Sequence, residues 1–233
     1  TDDYTMKVKH LVGAFLCVLG CYACSSPKTE VQSPDGHIKM TLTVDENGKP
    51  FYNVSVDDSL LIENSAMGFT AANGIILAEG FQVKNTTFSS EDETWTQPWG
   101  ENKKNRNHYN EMAVSLTNED QVQLTLRFRV FDDGIGFRYE YTVPTVDSLL
   151  ITDELTTFRF HRDGTSWSIP ASAETYELLY QQQPISEVET ANTPFTFKTA
   201  DGVYGSIHEA ALYDFPEMTL KQIGHYTLKA ELA

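Results

Sequence analysis

Hydrophobic and polar residues alternate along most of this chain, and this period of two constrains the fold more than any other feature. Ile38–Val44 alternates, and a turn at 45–48 leads into a second alternating run, Pro50–Val56. No stretch keeps the 3.6-residue period of a helix for long, although 176–183 could form one or two helical turns. The sequence therefore predicts an all-β fold: a large antiparallel β-sandwich with little helix.

A meander of three strands is predicted in the middle of the chain, with apolar side chains on one face and Thr, Arg, Gln and Glu on the other. The turn Asp132-Asp133-Gly134 separates its second and third strands. The meander strands are expected at 113–117, 122–131 and 135–143, and further strands at 155–161, 195–199, 202–208 and 225–230.

The first 25 residues resemble a bacterial secretory signal. Basic residues precede the apolar run 11–19, which is too short to span a membrane. The run ends in Val18-Leu19-Gly20-Cys21, which is similar to a lipobox, so Cys21 is predicted to be lipidated. Cys24 is an alternative, as is a cleaved signal without lipid. We divide the chain into a segment 1–25 and one β domain, 26–233, and expect export to the periplasm or outer membrane of a Gram-negative bacterium.

Cysteine usage and charge exclude several classes of function. All three cysteines lie in the signal-like segment, so residues 26–233 offer no disulfide, catalytic thiol or Cys-type zinc site. The net charge of −16 argues against nucleic-acid binding, which requires a basic surface. It is compatible with a neutral substrate or a bound cation.

The segment from Thr94 to Glu111 has neither a strand pattern nor a helix pattern, and we predict a long loop. Stacking Trp faces and side-chain hydrogen bonds are the chemistry of a sugar-binding rim. The alternative is a surface loop that covers one end of a sheet. The candidate residues are Trp95, Trp99, Glu101, Arg106, Asn107, His108 and Glu111.

His208 and Glu209 form an ionisable pair at the end of a predicted strand. They do not complete the zinc-protease motif H-E-x-x-H, because Leu212 occupies the last position. The Glu209 carboxylate suits a hard cation such as Ca²⁺, which needs roughly six to eight oxygen ligands, so Glu209 could only contribute to such a site. The alternative is a surface carboxylate without a ligand.

Four segments together resemble the N-terminal domain of glycoside hydrolase family 97, a bacterial family of α-glucosidases and α-galactosidases from polysaccharide-utilisation systems. The segment from Glu93-Thr94-Trp95 through Trp99-Gly100-Glu101 to Arg106-Asn107-His108-Tyr109-Asn110-Glu111 is the most distinctive. The other three are Ser33-Pro34-Asp35-Gly36, the run from Arg127-Phe128-Arg129 to Tyr139, and His208-Glu209-Ala210-Ala211-Leu212.

The resemblance implies a galactose-mutarotase-like super-sandwich that packs on a (β/α)₈ barrel and closes part of its pocket. The barrel would supply the general acid and the base or nucleophile. Glu209 matches a glutamate that binds Ca²⁺ in the family, where the ion has an electrostatic role. His208 and the candidates between Trp95 and Glu111 would lie at the pocket or the domain interface.

The resemblance places the start of the barrel near Ala233, so we expect these residues to hold no complete catalytic centre. The expected partners are an α-linked oligosaccharide, the enzyme's own barrel and its C-terminal domain. Three functions stay open: the accessory domain of an exported α-glycosidase, a free-standing carbohydrate-binding lipoprotein with a Trp95 and Trp99 platform, and a structural envelope lipoprotein.

Overall fold

The computed structural model describes residues 29–144 and 146–232, and within them nearly all regular structure is antiparallel strand. The predicted lipidation sites Cys21 and Cys24 lie outside the described residues. The only helical segments among the described residues are two short 3₁₀ turns, Ala72–Gly74 and Ile185–Glu187. None of the described helical segments is long and apolar enough to cross a membrane.

The strands are numbered here in chain order. They are β1 (Glu30–Gln32), β2 (Ile38–Val44), β3 (Pro50–Val56), β4 (Ser59–Ala66), β5 (Phe69–Ala71), β6 (Ile76–Leu77), β7 (Gln82–Thr96), β8 (Lys104–Thr117), β9 (Gln123–Phe131), β10 (Gly134–Thr142), β11 (Ile151–Glu154), β12 (Thr157–Arg159), β13 (Gly164–Ser168), β14 (Gln181–Pro184), β15 (Thr190–Asn192), β16 (Phe195–Thr199), β17 (Tyr204–Ile207), β18 (Met218–Gly224) and β19 (Thr227–Leu232).

These strands form five antiparallel sheets. The two main sheets have the orders β1-β2-β3-β4 and β10-β9-β8-β7, and the third is the small sheet β11-β5-β6. The remaining two have the orders β12-β19-β18-β15 and β14-β13-β16-β17. Most neighbours in these sheets are also close in sequence, which is typical of hairpins and meanders.

One apolar core lies between the two main sheets, as the alternating pattern requires. Tyr52 on β3 packs against Phe137 on β10 with 5.5 Å between ring centroids. The buried Tyr52 hydroxyl donates a hydrogen bond of 2.9 Å to the Thr157 carbonyl oxygen, so its polar end is satisfied. Other members of this core are Met40, Leu42, Val54, Met112, Val114, Leu126, Phe128 and Val130.

Phe160 joins the first main sheet to the two sheets of the C-terminal half. It forms an antiparallel bridge with Ile62 of β4 directly after β12. Its ring packs edge-on against Phe197 of β16 at a centroid distance of 4.8 Å. Because Phe160 is buried, it ties these sheets into a single core.

Several strand predictions are confirmed with their bounds, namely Ile38–Val44, Pro50–Val56 and Phe195–Thr199. The meander is also confirmed, and β9 alternates between buried and partly exposed side chains as predicted. The predicted strand at 155–161 is wrong in detail, because 151–154 and 157–159 form two strands that belong to different sheets.

The prediction of helical turns at 176–183 is wrong. Residues 176–180 have no helix, and Gln181–Pro184 is strand β14. This strand pairs with β13, with Gln182 opposite Trp167. Pairing with a neighbouring strand therefore overrides the local helix propensity of Glu, Leu and Gln in this segment.

The prediction of a long loop at 94–111 is also wrong. Strands β7 and β8 form a long hairpin, and only residues 97–103 lie outside its strands. Strand β9 pairs with β8 only from Tyr109 onward, so residues 92–108 extend past the sheet as a two-stranded projection, here called the arm. Most of its side chains are exposed on both faces, which removes the apolar alternation that would have revealed the strands.

We expect Phe160→Ala to lower the free energy of unfolding by about 3–5 kcal/mol, because it leaves a cavity where the sheets meet. Denaturant unfolding followed by circular dichroism measures this loss. Phe88→Ala is the control, because Phe88 is half exposed. Equal effects of the two substitutions would contradict the role of Phe160.

Candidate functional site

The arm is held together by polar pairs across its two strands. Both guanidinium nitrogens Nε and Nη2 of Arg106 donate to the Asp92 carboxylate, at 2.7 and 2.8 Å. These bonds hold the pKa of Asp92 below its usual value. On the other face, the Asn107 amide donates to Glu93 at 3.0 Å. Two of the predicted site residues, Arg106 and Asn107, therefore stabilise the hairpin itself.

Trp95 and Trp99 are both exposed on the arm, at 47% and 83%. Trp95 lies on β7 opposite Asn105, whereas Trp99 lies in the connection at the tip with Glu101. No ring pair links the two tryptophans among the described residues, in contrast to the aromatic pairs found elsewhere in the sandwich. The Trp95 and Trp99 platform therefore stays a prediction.

Glu111 lies at the base of the arm and is nearly buried. Its carboxylate accepts hydrogen bonds from Arg127 Nη1 at 2.5 Å and from Arg129 Nε at 2.7 Å. Burial alone would raise its pKa, but the bonds from Arg129 and Arg127 outweigh burial, and the pKa lies below its usual value. Arg127 continues the network to Glu140 at 2.9 Å. Glu111 therefore stabilises the sheet.

His108 is half buried where the arm meets the turn between β9 and β10. Its Nδ1 lies 3.5 Å from the Asp132 carboxylate, without hydrogen-bond geometry. The other oxygen of Asp132 accepts the Asp35 backbone N–H at 3.0 Å. Two of the distinctive sequence segments, Ser33–Gly36 and the Asp132 turn, thus meet beside the arm.

Glu209 follows β17 and lies in an exposed segment, residues 208–217, here called the Glu209 loop. Its side chain is only 15% exposed. Thr193 Oγ1 donates to Glu209 Oε2 at 2.6 Å, and the Met218 backbone N–H donates to Oε1 at 3.2 Å. The carboxylate therefore has a fixed orientation, while His208 Nδ1 lies 3.7 Å away on a largely exposed ring.

Phe215 anchors the Glu209 loop to the sandwich. Its ring packs edge-on against Phe69 of β5 at 5.8 Å, and Phe69 in turn contacts Tyr139 of β10 at 4.7 Å. Ala211 and Asp214 adopt positive φ angles of 55° and 54°. Such angles are unfavourable for residues with a side chain, so the surrounding contacts must hold this loop in its conformation.

Two adjacent loops give this region an exposed apolar surface, here called the apolar patch. The Glu217 carboxylate of the Glu209 loop lies close enough to Tyr176 of the segment 170–180 to raise the pKa of Tyr176, so the two loops are neighbours. The exposed members of the apolar patch are Tyr176, Leu178, Leu179, Tyr180, Leu212 and Tyr213. Clusters of this kind on a folded domain are typical of interaction surfaces.

A second carboxyl group, Glu154, lies beneath this region and was not predicted from the sequence. It is buried opposite Phe69, and it accepts a hydrogen bond of 2.7 Å from Thr156 Oγ1. Burial raises the pKa of Glu154, and the negative charges of Asp153 and Glu209 add to this effect. The bond from Thr156 and the charge of Lys229 oppose it.

Glu209 fits the role of one calcium ligand but not of a complete site. Each of its oxygens accepts one protein hydrogen bond, which leaves lone pairs for a hard cation. The described residues contain no cluster of three or more His, Cys, Asp or Glu side chains that could hold a metal ion. A complete calcium site would therefore need further oxygen ligands in addition to Glu209.

The arm and Glu209 lie toward opposite ends of the sandwich. The pairing of β10, β9, β8 and β7 places Tyr139 of β10 in the same cross-strand row as Thr86 of β7. Tyr139 contacts Phe69, which packs on the Glu209 loop. Trp95 lies nine residues beyond Thr86 in the extended strand β7, a separation of about 30 Å. The structure therefore divides the predicted site residues into two groups, one on the arm and at its base and one at His208 and Glu209.

The amino-acid sequence of this chain matches a known protein family. The model of the family "Glycosyl-hydrolase 97 N-terminal" matches residues 31–232. The chain belongs to this family. The sequence-based recognition of the family 97 N-terminal domain and of an all-β sandwich is therefore confirmed.

A retaining α-galactosidase from Bacteroides thetaiotaomicron is 24% identical to the chain over 229 residues, covering 91% of the chain and 33% of the relative. Solved structures of a family 97 enzyme from Pseudoalteromonas sp. strain K8, in complexes with panose and acarbose, are 37% identical with a TM-score of 0.81. They cover 87% of this chain and 31% of theirs. The family 97 domain thus spans about a third of the length of these relatives.

A β-arabinopyranosidase of known structure has the same fold, with a TM-score of 0.77 at 22% identity. At this identity the likeness concerns the architecture alone.

We expect Glu111→Gln to destabilise the domain by about 1–2 kcal/mol near neutral pH, because two charge-assisted hydrogen bonds are weakened. Since the pKa of Glu111 is lowered by folding, this stability is present above the usual carboxyl pKa and is lost as the pH falls through the folded-state value. Unfolding of wild type and variant across acid and neutral pH measures the difference. Glu119→Gln, in an exposed turn, is the control. A difference that persisted unchanged in acid would contradict the ion pairs.

Glu154→Gln should show the opposite pH dependence. Because folding raises the pKa of Glu154, its contribution to stability is complete below the unfolded-state pKa and is lost as the pH rises through the folded-state value. The stability of the Gln variant relative to wild type should therefore increase from acid to neutral pH. Thermal unfolding at several pH values measures this trend, and a flat or reversed trend would refute it.

Proposed function

We propose that this chain is the N-terminal accessory domain of an exported α-glycosidase that acts on α-glucosides or α-galactosides. In this proposal it packs on the catalytic barrel, completes the active-site pocket and contributes one calcium ligand, Glu209. Membership of family 97 supports the glycosidase assignment. The observation that carries the proposal is the oriented Glu209 carboxylate in a loop that also exposes Leu212 and Tyr213 of the apolar patch.

The apolar patch supports the packing part of the proposal. Leu179 and Tyr213 are 90% and 85% exposed, which is costly for large apolar side chains unless a partner covers them. A catalytic barrel that packed there would bury these side chains and bring its own carboxylates near Glu209. The same burial would exclude water around the carboxylate and strengthen its electrostatic interactions.

Within the site, the residues of this chain act by orientation and charge. Thr193 and the Met218 backbone N–H fix both oxygens of Glu209, so little reorganisation is needed when a cation binds. A bound calcium ion would supply positive charge near the reacting sugar. In this proposal the general acid and the base or nucleophile come from the barrel.

The relatives support a neutral α-linked oligosaccharide as the substrate class. One is named a retaining α-galactosidase, and the Pseudoalteromonas enzyme binds panose and acarbose. We extend the proposal to the location: the signal-like segment before residue 26 would direct the protein to the periplasm or outer membrane, with Cys21, or alternatively Cys24, as the lipid attachment site.

We expect Glu209→Gln in the full-length protein to raise the calcium concentration needed for half-maximal activity at least tenfold and to lower kcat/KM, because one charged ligand is lost. The measurement is hydrolysis of nitrophenyl α-glucoside and α-galactoside after treatment with a chelator, followed by calcium titration.

Glu119→Gln is the matched control, since Glu119 is an exposed glutamate in the turn after β8. Its calcium dependence should equal that of wild type. Wild-type activity that survived chelation, together with an unchanged Glu209→Gln variant, would refute the calcium role of Glu209.

A further inference from the structure

An aromatic pair stands on the outer face of the sheet β14-β13-β16-β17. The rings of Trp167 on β13 and Tyr204 on β17 lie nearly parallel, with an interplanar angle of 16° and 6.4 Å between centroids. Tyr204 is 64% exposed. The ammonium group of Lys198 lies 4.9 Å from the centre of the Tyr204 ring, within the range of a cation–π interaction.

Strand register explains why the two rings meet. Trp167 pairs with Thr196, and Tyr204 pairs with Lys198, two residues farther along the same central strand β16. Because side chains two residues apart share a face, both rings stand on the same side and lean over β16. The neighbours of Trp167 in β13, Ser166 and Ser168, point inward and are buried.

The sheet beneath the rings is rigid because its inner face belongs to the core. Phe195 and Phe197 of β16 are buried there, and Phe197 packs on Phe160. The strands that carry the two rings are therefore fixed by packing before any ligand binds, which lowers the entropic cost of binding.

Polar side chains surround the rings on the same face. Gln182 of β14 lies opposite Trp167 of β13, and Ser206 of β17 lies opposite Thr196 of β16. Gln182, Thr196 and Ser206 are exposed, and within the described residues their side chains make no hydrogen bond to the protein. Together with Lys198, Trp167 and Tyr204 they form a surface that we call the aromatic platform.

We propose that the aromatic platform binds a neutral oligosaccharide outside the catalytic pocket. A sugar ring has an apolar face, which stacks on aromatic rings, and a rim of hydroxyl groups, which needs donors and acceptors. Gln182, Thr196 and Ser206 offer both types of hydrogen-bonding group. The platform carries one formal charge, on Lys198, and two aromatic rings among polar groups, unlike the apolar patch, half of whose members are leucines.

The aromatic platform lies on a strand that leads toward the Glu209 loop. Strand β17 runs from Tyr204 to Ile207 with Tyr204 and Ser206 exposed, and the exposed His208 and then Glu209 follow directly. Five residues of chain span at most about 17 Å. A longer oligosaccharide held on the platform would therefore extend toward the Glu209 loop. This alignment with the pocket rests on the proposed function, whereas the binding chemistry of the platform does not.

Titration of the full chain with maltoheptaose, followed by tryptophan fluorescence and by calorimetry, tests the proposal. Trp167→Ala and Tyr204→Ala should each weaken binding at least tenfold, and Tyr204→Phe should retain most of it because the ring face remains. Phe88→Ala is the matched control, since it removes an exposed aromatic side chain elsewhere and should leave binding unchanged. Circular dichroism confirms that each variant is folded.

Two results would overturn the proposal: no binding of maltoheptaose or of the α-galactoside stachyose to the wild-type chain at millimolar concentration, or binding that both alanine variants retain in full. The titration measures no hydrolysis, so its failure is distinct from a failure of the glycosidase assignment. That assignment is tested by hydrolysis of nitrophenyl α-glycosides by the full-length protein.

Discussion

Burial of alternate side chains between the two main sheets sets the position of everything else in this domain. Tyr52 and Phe137 meet across the interior, and Phe160 extends the same core to the C-terminal sheets. Phe69 and Phe215 then attach the Glu209 loop to that core. The loop that carries Glu209 is thus connected to the core by a continuous path of aromatic packing.

Sequence patterns predicted the elements in which one face is buried and the other is not. The runs at Ile38–Val44 and Pro50–Val56 alternate because one side meets the core, and both were predicted with their bounds. The arm escaped prediction because both of its faces are polar, so pairs such as Asp92 with Arg106 replace the apolar signal. Strand β14 escaped for a similar reason, since its stability comes from its neighbour β13.

Candidate site residues could be predicted from the sequence only where they belong to a recognisable motif. The resemblance singled out Glu209 as a candidate ligand, which stays a prediction, whereas the burial of Glu154 depends on strand β11 pairing with β5, which no local pattern shows. Glu111 was expected at a pocket or an interface, and the structure places it between Arg127 and Arg129 within its own sheet. Residues that meet through register, such as Trp167 and Tyr204, are separated in sequence and remained invisible until the strands were paired.

Strand β7 has a consequence for how this chain behaves at high concentration. It is a 15-residue strand at the edge of its sheet, and exposed edges of this length can pair with other chains and lead to aggregation. Glu91, Asp92 and Glu93 lie on that edge, where they repel the same segment of a second copy. Because the protection is electrostatic, salt screens it and acid removes it. The acidic segment of β7 therefore opposes association at this edge, a role separate from the packing that stabilises the fold.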